Sequence, residues 1–287
     1  MDERAALSVL AEALGPAGDD AAIVDGQVLT TDMLHERTDF PEGTGRYTAG
    51  WRAVGASLSD VAAMGAAATA AVAVYAAPSF DRDELLAFVE GASEVCTLVG
   101  AEYVGGDLDD HAEFTVVTTA LGRTDDPVPR SGASPGDRVC VTGALGRSAA
   151  ALERFDRGDH GRGNELFRFS PRVDAGLALA PHATAMMDSS DGLARSLHQL
   201  AEASDCGFAV EADRIPIHDE LCALVEEPLE PATTFGEDFE LVATLPAGAV
   251  DAAREATDVP LSVVGTVTEE GVTLDGEPLA DRGYTHG

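Results

Sequence analysis

The residues best placed for chemistry are carboxylates beside turn-forming or small residues: Asp19-Asp20, Asp32, Asp60, Asp107 with Asp109-Asp110, Asp188, Asp191 and Glu237-Asp238. Several adjoin glycine, as in Gly18-Asp19, Gly105-Gly106-Asp107, Asp191-Gly192 and Gly236-Glu237. Carboxylates at strand ends suit a hard cation such as Mg²⁺, which takes oxygen ligands and bridges nucleotide phosphates. Glycine lets backbone approach a phosphate closely. Thr30-Thr31-Asp32 adds two hydroxyls to one carboxylate, and Ser57–Gly65 presents Asp60 on a small-residue helix. Each has a plainer reading: a hydroxyl-capped turn, a close-packed helix, or a solvated acidic face.

The bulk composition narrows the chemistry. Among 287 residues, 51 are Asp or Glu against 18 basic residues, for a formal net charge of −33. All the basic residues are Arg; no Lys occurs. That excludes a P-loop lysine, a protein-kinase strand lysine and Schiff-base chemistry. Any bound phosphates must be neutralised by metal ions and Arg. The charge also argues against nucleic-acid and anionic-membrane partners. Hydrophobic residues make up 45% of the chain, too many for a disordered acidic polymer. A folded, Lys-free acidic chain fits concentrated salt, where screening shortens the Debye length to ~3 Å. No run approaches the ~20 apolar residues of a membrane span, and no secretory leader is visible, so a cytoplasmic protein is expected. Cys96, Cys140, Cys206 and Cys222 are too scattered for a zinc site.

These residues need elements to position them. Leu7, Leu10 and Leu14 give helical spacing over residues 2–14. Residues 22–24 and 28–32 read as strands around an Asp25-Gly26 turn. Helices are expected at 47–64 and 81–99, with strands at 70–76, 102–104 and 114–121. The first half therefore reads as an α/β unit like a split βαβ. The Pro/Gly-rich segment 125–137 is the boundary candidate, dividing the chain into 1–133 and 134–287. Beyond it, strands are expected at 138–142, 207–211, 239–245, 263–267 and 272–274, and Met186-Met187 lead into the Asp188–Leu193 segment. Helices are expected from 148, after 171, at 194–203 and near 218–225, with a loop at 158–163.

Taken together the motifs resemble the thiamine-monophosphate kinase family, within the superfamily of aminoimidazole ribonucleotide synthetase. The blocks are Gly18–Ala22, Thr30–Leu34, Leu58–Gly65, Gly105–Asp107, Gly122-Arg123, Arg130–Ala133, Pro135–Asp137, Val141–Gly143, Asp188–Leu193 and Gly236–Leu241. They keep the family's order across most of the chain. The resemblance implies an α/β (α+β), two-domain aminoimidazole ribonucleotide synthetase-like fold. Its N-terminal domain is ferredoxin-like, binding ATP and Mg and building a homodimer through its sheet; its C-terminal domain is α/β. It implies γ-phosphoryl transfer from ATP to thiamine monophosphate. By that likeness Asp20, Thr30, Thr31, Asp32, Asp60, Asp107, Asp188 and Asp191 hold several Mg²⁺ ions. Gly106, Asp107, Arg123 and Ser190 contact ATP, and Asp39, Glu237 and Tyr284 contact the acceptor. Asp39 stands where the family commonly has a His. No residue is assigned as nucleophile or base, because the acceptor is an already ionised phosphate. The alternatives are another ATP-dependent enzyme of the superfamily, such as an aminoimidazole ribonucleotide synthetase-like one, or a non-catalytic nucleotide-binding protein.

The charge balance carries a first prediction. Raising KCl from about 0.1 M to about 3 M shortens the Debye length from ~10 Å to ~2 Å or less and should raise the thermal unfolding midpoint markedly. A midpoint that stays flat or falls, followed by circular dichroism, refutes salt adaptation.

Overall fold

The computed structural model describes Val9, Leu14 and residues 18–283. Apart from Val9 and Leu14, the helix expected over 2–14 lies outside the described residues, as does Tyr284.

The first half opens with a hairpin, β1 (Ala22–Val24) and β2 (Gln27–His35). Asp25 and Gly26 both take positive φ at its tip, as an Asp-Gly hairpin turn requires. Then come α1 (Glu36–Asp39), α2 (Arg46–Ala63), β3 (Ala67–Ala77), α3 (Arg82–Leu98), β4 (Glu102–Asp110) and β5 (Thr115–Arg123). The sheet order is β1-β2-β5-β3-β4, with β3 and β4 the parallel neighbours. The β2–α2–β3 crossover is split, because β5 lies antiparallel between its two strands. The β3–α3–β4 crossover instead joins adjacent strands.

The second half contains β6 (Arg138–Thr142), α4 (Arg147–Asp156), α5 (His160–Phe167), α6 (Val173–Leu179), β7 (Ala185–Asp188), α7 (Leu193–Ser204) and β8 (Gly207–Val210). It continues through α8 (Asp219–Leu224), α9 (Leu229–Thr234), β9 (Leu241–Leu245), α10 (Val250–Ala256), β10 (Leu261–Thr268), β11 (Val272–Leu274) and β12 (Glu277–Pro278). Its mixed sheet runs β12-β11-β8-β10-β6-β9-β7. Among the described residues no helix is long and apolar enough to cross a membrane.

Three local expectations are corrected. Helix α5 begins inside the expected loop 158–163: Asp159 caps it, accepting from Arg162 N, and Leu166 and Phe167 bury its end. The glycines at 158, 161 and 163 hid that signal. Strand β4 runs through Gly105-Gly106 to Asp110, with a register shift at Val104. Strand β9 starts at Leu241 rather than at Phe239, because Glu237 and Phe239 take positive φ (58° and 55°).

Helix α2 is the central element. It is buried nearly all round, packed on the first sheet, on α3 and, across the seam, on α6 and β7. Its small residues permit that. A Cβ on Gly50 would lie 2.2 Å from the Phe88 carbonyl oxygen, and one on Gly91 of α3 would lie 2.0 Å from that of Tyr47. At the seam, Trp51 Nε1 donates to Phe169 O (2.5 Å). Asn164 clamps the 43–45 loop, donating to Gly43 O and accepting from Gly45 N, each at 2.9 Å.

Helix propensity alone favours Ala over Gly by ~1 kcal/mol within a helix. Here the close approach reverses the sign: Gly50→Ala or Gly91→Ala should destabilise by about 1–3 kcal/mol, as overpacking does. Chemical denaturation checks this; a stabilised variant overturns the packing account.

Candidate functional site

The acid cluster sits where the two halves meet. Asp20 lies in the turn before β1, Asp60 in the last turn of α2 and Asp188 at the end of β7. One carboxylate oxygen from each lies within 4.8 Å of the other two. Period-two alternation along β2 puts Thr30 and Asp32 on the face toward α2 and Thr31 on the other. Thr30 Oγ1 donates to Asp60 Oδ2 (2.5 Å), and Ser57 Oγ donates to Asp32 Oδ2. Thr31 Oγ1 donates instead to the Thr118 carbonyl (2.9 Å).

The electrostatics are those of anions forced together. Burial, then the charges of Asp32, Asp188 and Asp20, push the Asp60 carboxyl well above the ordinary range. Burial and the charge of Asp20 raise Asp188 to about 7, and burial raises Asp32. Asp188 Oδ2 is buried and takes no hydrogen bond among the described residues. An all-oxygen set of crowded carboxylates with an unpartnered buried oxygen fits a hard divalent cation. Arg130 supplies a counter-charge, its Nε and Nη2 gripping the two oxygens of Asp20 at 3.1 and 3.0 Å. Its backbone N–H also donates to Asp19 Oδ1 (2.8 Å). Neither Arg130 nor Ser57 is marked out by local sequence; only folding joins them to the acids.

Other expected residues lie elsewhere. Asp107 is exposed on edge strand β4. Pairing runs Asp32–Thr118–Ala73–Gly106 across the sheet, so Asp107 stands three strand spacings from Asp32, about 14 Å. Arg123 ends β5, five residues along the strand from Thr118, roughly 17 Å away. Gly106 makes its close approach to the neighbouring strand: an added Cβ would lie 1.6 Å from the Ala73 carbonyl oxygen. Ser190 and Asp191 follow β7, and Ser190 N donates to Asp188 Oδ1 (3.2 Å).

A separate cleft of about 610 Å³ opens across the seam; none of the three clustered acids lines it. Residues 37–42 form one wall, while Leu152, Phe155, His160, Phe167, Phe235 and Glu237 form the other. Asp39 lies in the first wall, buried, its Oδ2 accepting from His35 N (2.7 Å) and Thr38 Oγ1 (2.8 Å). Glu237 N donates to Ser190 O (2.6 Å), so a backbone hydrogen bond links the cleft wall to the turn that follows Asp188. That contact needs glycine next door: a Cβ on Gly236 would lie 2.5 Å from Ser190 O.

Comparison with known proteins completes the picture. Residues 18–124 match the N-terminal domain of AIR synthase related proteins, and residues 134–276 match the C-terminal domain. The chain is 65% identical over 288 residues to the thiamine-monophosphate kinase of Halobacterium salinarum, covering all of both chains. The chain belongs to the thiamine-monophosphate kinase family. The enzyme of that name from Methanospirillum hungatei is 40% identical over 297 residues, covering 100% of this chain and 99% of its own. A solved structure described as AaThiL complexed with AMPPCP and TMP superposes with a TM-score of 0.91 at 28% identity, covering 100% of this chain and 97% of that one. The two-domain AIR synthase-like fold expected from the motifs is therefore the fold of this family.

The raised carboxyls have a stability consequence with a definite sign. A folded-state pKa above the unfolded 3.8 means that the folded protein binds the extra proton. The associated stability is complete below about pH 4 and is lost as pH rises through about 7, the raised Asp188 value. Metal-free protein should lose thermal stability between about pH 5 and about pH 8, and Asp188→Asn should flatten the slope. Added Mg²⁺ needs ionised ligands, so it should stabilise more at the higher pH. Calorimetry across that range decides; a metal-free midpoint that rises with pH refutes the account.

Proposed function

We propose that the chain transfers the γ-phosphoryl of ATP to thiamine monophosphate, giving thiamine diphosphate and ADP. One observation carries the reading most: three carboxylates converge at the seam, in a chain sharing 65% of its residues with a thiamine-monophosphate kinase. The AMPPCP and TMP held by the structural relative give the two ligand classes. In this reading Asp20, Thr30, Asp32, Asp60, Asp188 and Asp191 hold Mg²⁺, and residues 1–133 carry the nucleotide. Residues 134–287 complete the acceptor cleft, with Asp39 and Glu237 in its walls.

The chemistry needs no general base. The acceptor phosphate oxygen is already ionised at neutral pH, so it attacks the γ-phosphorus as the bond to the β-phosphate oxygen breaks and ADP leaves with the electron pair. The obstacle is the approach of two polyanions: each unit-charge pair at 4 Å costs ~4 kcal/mol at an effective dielectric near 20. Magnesium, when bound, supplies the neutralising charge. The chain's part is to orient both phosphates and exclude water, with Arg130 as the protein cation nearest the acids.

Thr31 and Asp107 belong to a different surface. The face of the first sheet turned away from α2 and α3 exposes Leu29, Met33 and Val72, with half-exposed Val74, Val117 and Leu121 around them. Alternation puts Thr31 and Asp107 on that face too. A contiguous apolar sheet face of this kind marks an interface. We assign it to a second copy of the chain, which makes the enzyme a homodimer with Asp107 at the dimer seam; its place in the cytoplasm is a separate proposal, resting on the lack of a visible leader or membrane span in the sequence.

The test is formation of thiamine diphosphate from thiamine monophosphate, ATP and Mg²⁺ in concentrated KCl, beside a light-scattering mass. Asp188→Asn, checked for folding, should lower kcat by at least about 100-fold, as loss of phosphoryl-charge stabilisation does. A folded wild type that binds ATP without making product refutes the kinase reading. A monomeric mass refutes the dimer.

A further inference from the structure

Arg52 belongs to the first half yet spends its hydrogen bonds on the second. Its side chain is 2% exposed. Nη1 donates to Phe167 O (2.8 Å), and both terminal nitrogens lie 3.4 Å from Ser148 Oγ. Nη2 donates to Glu237 Oε2 (2.7 Å) and Glu237 O (3.2 Å). The guanidinium lies over the Phe167 ring, 3.6 Å from its centroid. A buried ion pair adds little stability that apolar packing could not supply, so its value here lies in geometry.

The geometry it fixes is unusual. Glu237 has φ +58°, between Gly236 at +82° and Phe239 at +55° two residues on. Non-glycine residues keep such a backbone only where their surroundings hold them there. Arg52 grips Glu237 by both carbonyl and carboxylate. Ser148 Oγ donates to the same carbonyl (2.6 Å), and Phe239 stacks on Phe169 at 4.1 Å. No hydrogen bond to Glu237 Oε1 is found among the described residues, and Glu237 lines the cleft. On its other side the Glu237 N–H holds Ser190 O, beside the turn that carries Asp188.

We propose that Arg52 is a positioning residue: reaching across the seam, it sets the Glu237 carboxylate toward the acceptor cleft and locks the 236–239 segment against the Ser190–Asp191 turn. The acceptor part of this statement rests on the function proposed above. Lysine cannot replace Arg52, because an ammonium has neither the planar fork nor the face that stacks on Phe167.

The experiment uses the full-length protein with Arg52→Lys, Glu237→Gln, the double variant and Trp51→Phe. The last loses the seam hydrogen bond to Phe169 O and keeps both partners of the Arg52–Glu237 pair. Arg52→Lys should raise KM for thiamine monophosphate by about 10-fold or more, as misplacement of a binding group does, while KM for ATP changes by less than about 3-fold. The double variant should be no worse than the poorer single one, since both remove one interaction. Hydrogen exchange should quicken in 189–191 and 236–240 for Arg52→Lys, and more there than for Trp51→Phe, which acts on the segment only through Phe169 and Phe239. Equal changes in both KM values, additive effects in the double variant, or unaltered exchange in those segments overturn the proposal. A wild type inactive on thiamine monophosphate refutes the proposed function instead, and the exchange result then still decides whether Arg52 positions Glu237.

Discussion

The structure is organised around a repulsion. Three carboxylates from three separate elements converge within 4.8 Å, and no single element could hold them against one another. Each is restrained by a different neighbour: Asp20 by Arg130, Asp60 by Thr30, Asp188 by the Ser190 backbone. The cost of crowding them is spread over the whole seam. The small-residue packing of α2 is what allows Asp60 to be held there, with the first sheet on one side and β7 on the other.

The seam also makes two sites into one. The 188–192 turn and the 236–239 segment touch through the Glu237 N–H and the Ser190 carbonyl, so a shift on the cleft side reaches the acids within two hydrogen bonds. Buried polar groups stiffen that region further. Asp238 caps α4, accepting from Gly146 N and Ser148 N, and Glu240 accepts from Thr142 and from both forks of Arg172. Such fully partnered networks specify one arrangement, because a half-made one is penalised by burial. In a chain whose only strong cations are arginines, each internal pairing draws on a scarce resource: Arg52, Arg130 and Arg172 all serve residues at or beside this region.

Much of this was legible in the sequence, because periodicity and turn chemistry are local. The Asp25-Gly26 hairpin, the long helix ending near Met64 and the alternation of strands and helices follow from turn chemistry and spacing. The motifs carried the family and named the acids. What the sequence concealed is set by tertiary contact. Asp107 follows glycine as Asp19 does beside Asp20, yet strand order puts it on another surface. Arg130 reads as a linker residue until the chain folds it onto Asp20. The positive φ of Glu237 and Phe239 breaks an apolar run that reads as strand, because contacts from α2 and α4 decide that backbone.

Trp51 has one more consequence. It is the single tryptophan of the chain, and its indole bridges the two halves through Phe169 O. Its emission therefore originates at one known place, with no second indole to dilute it. Any motion that parts the halves must wet that ring and move its fluorescence to longer wavelength. The molecule thus carries its own optical gauge of how tightly the seam is shut, readable without a label while ligands bind, salt is diluted or metal is withdrawn.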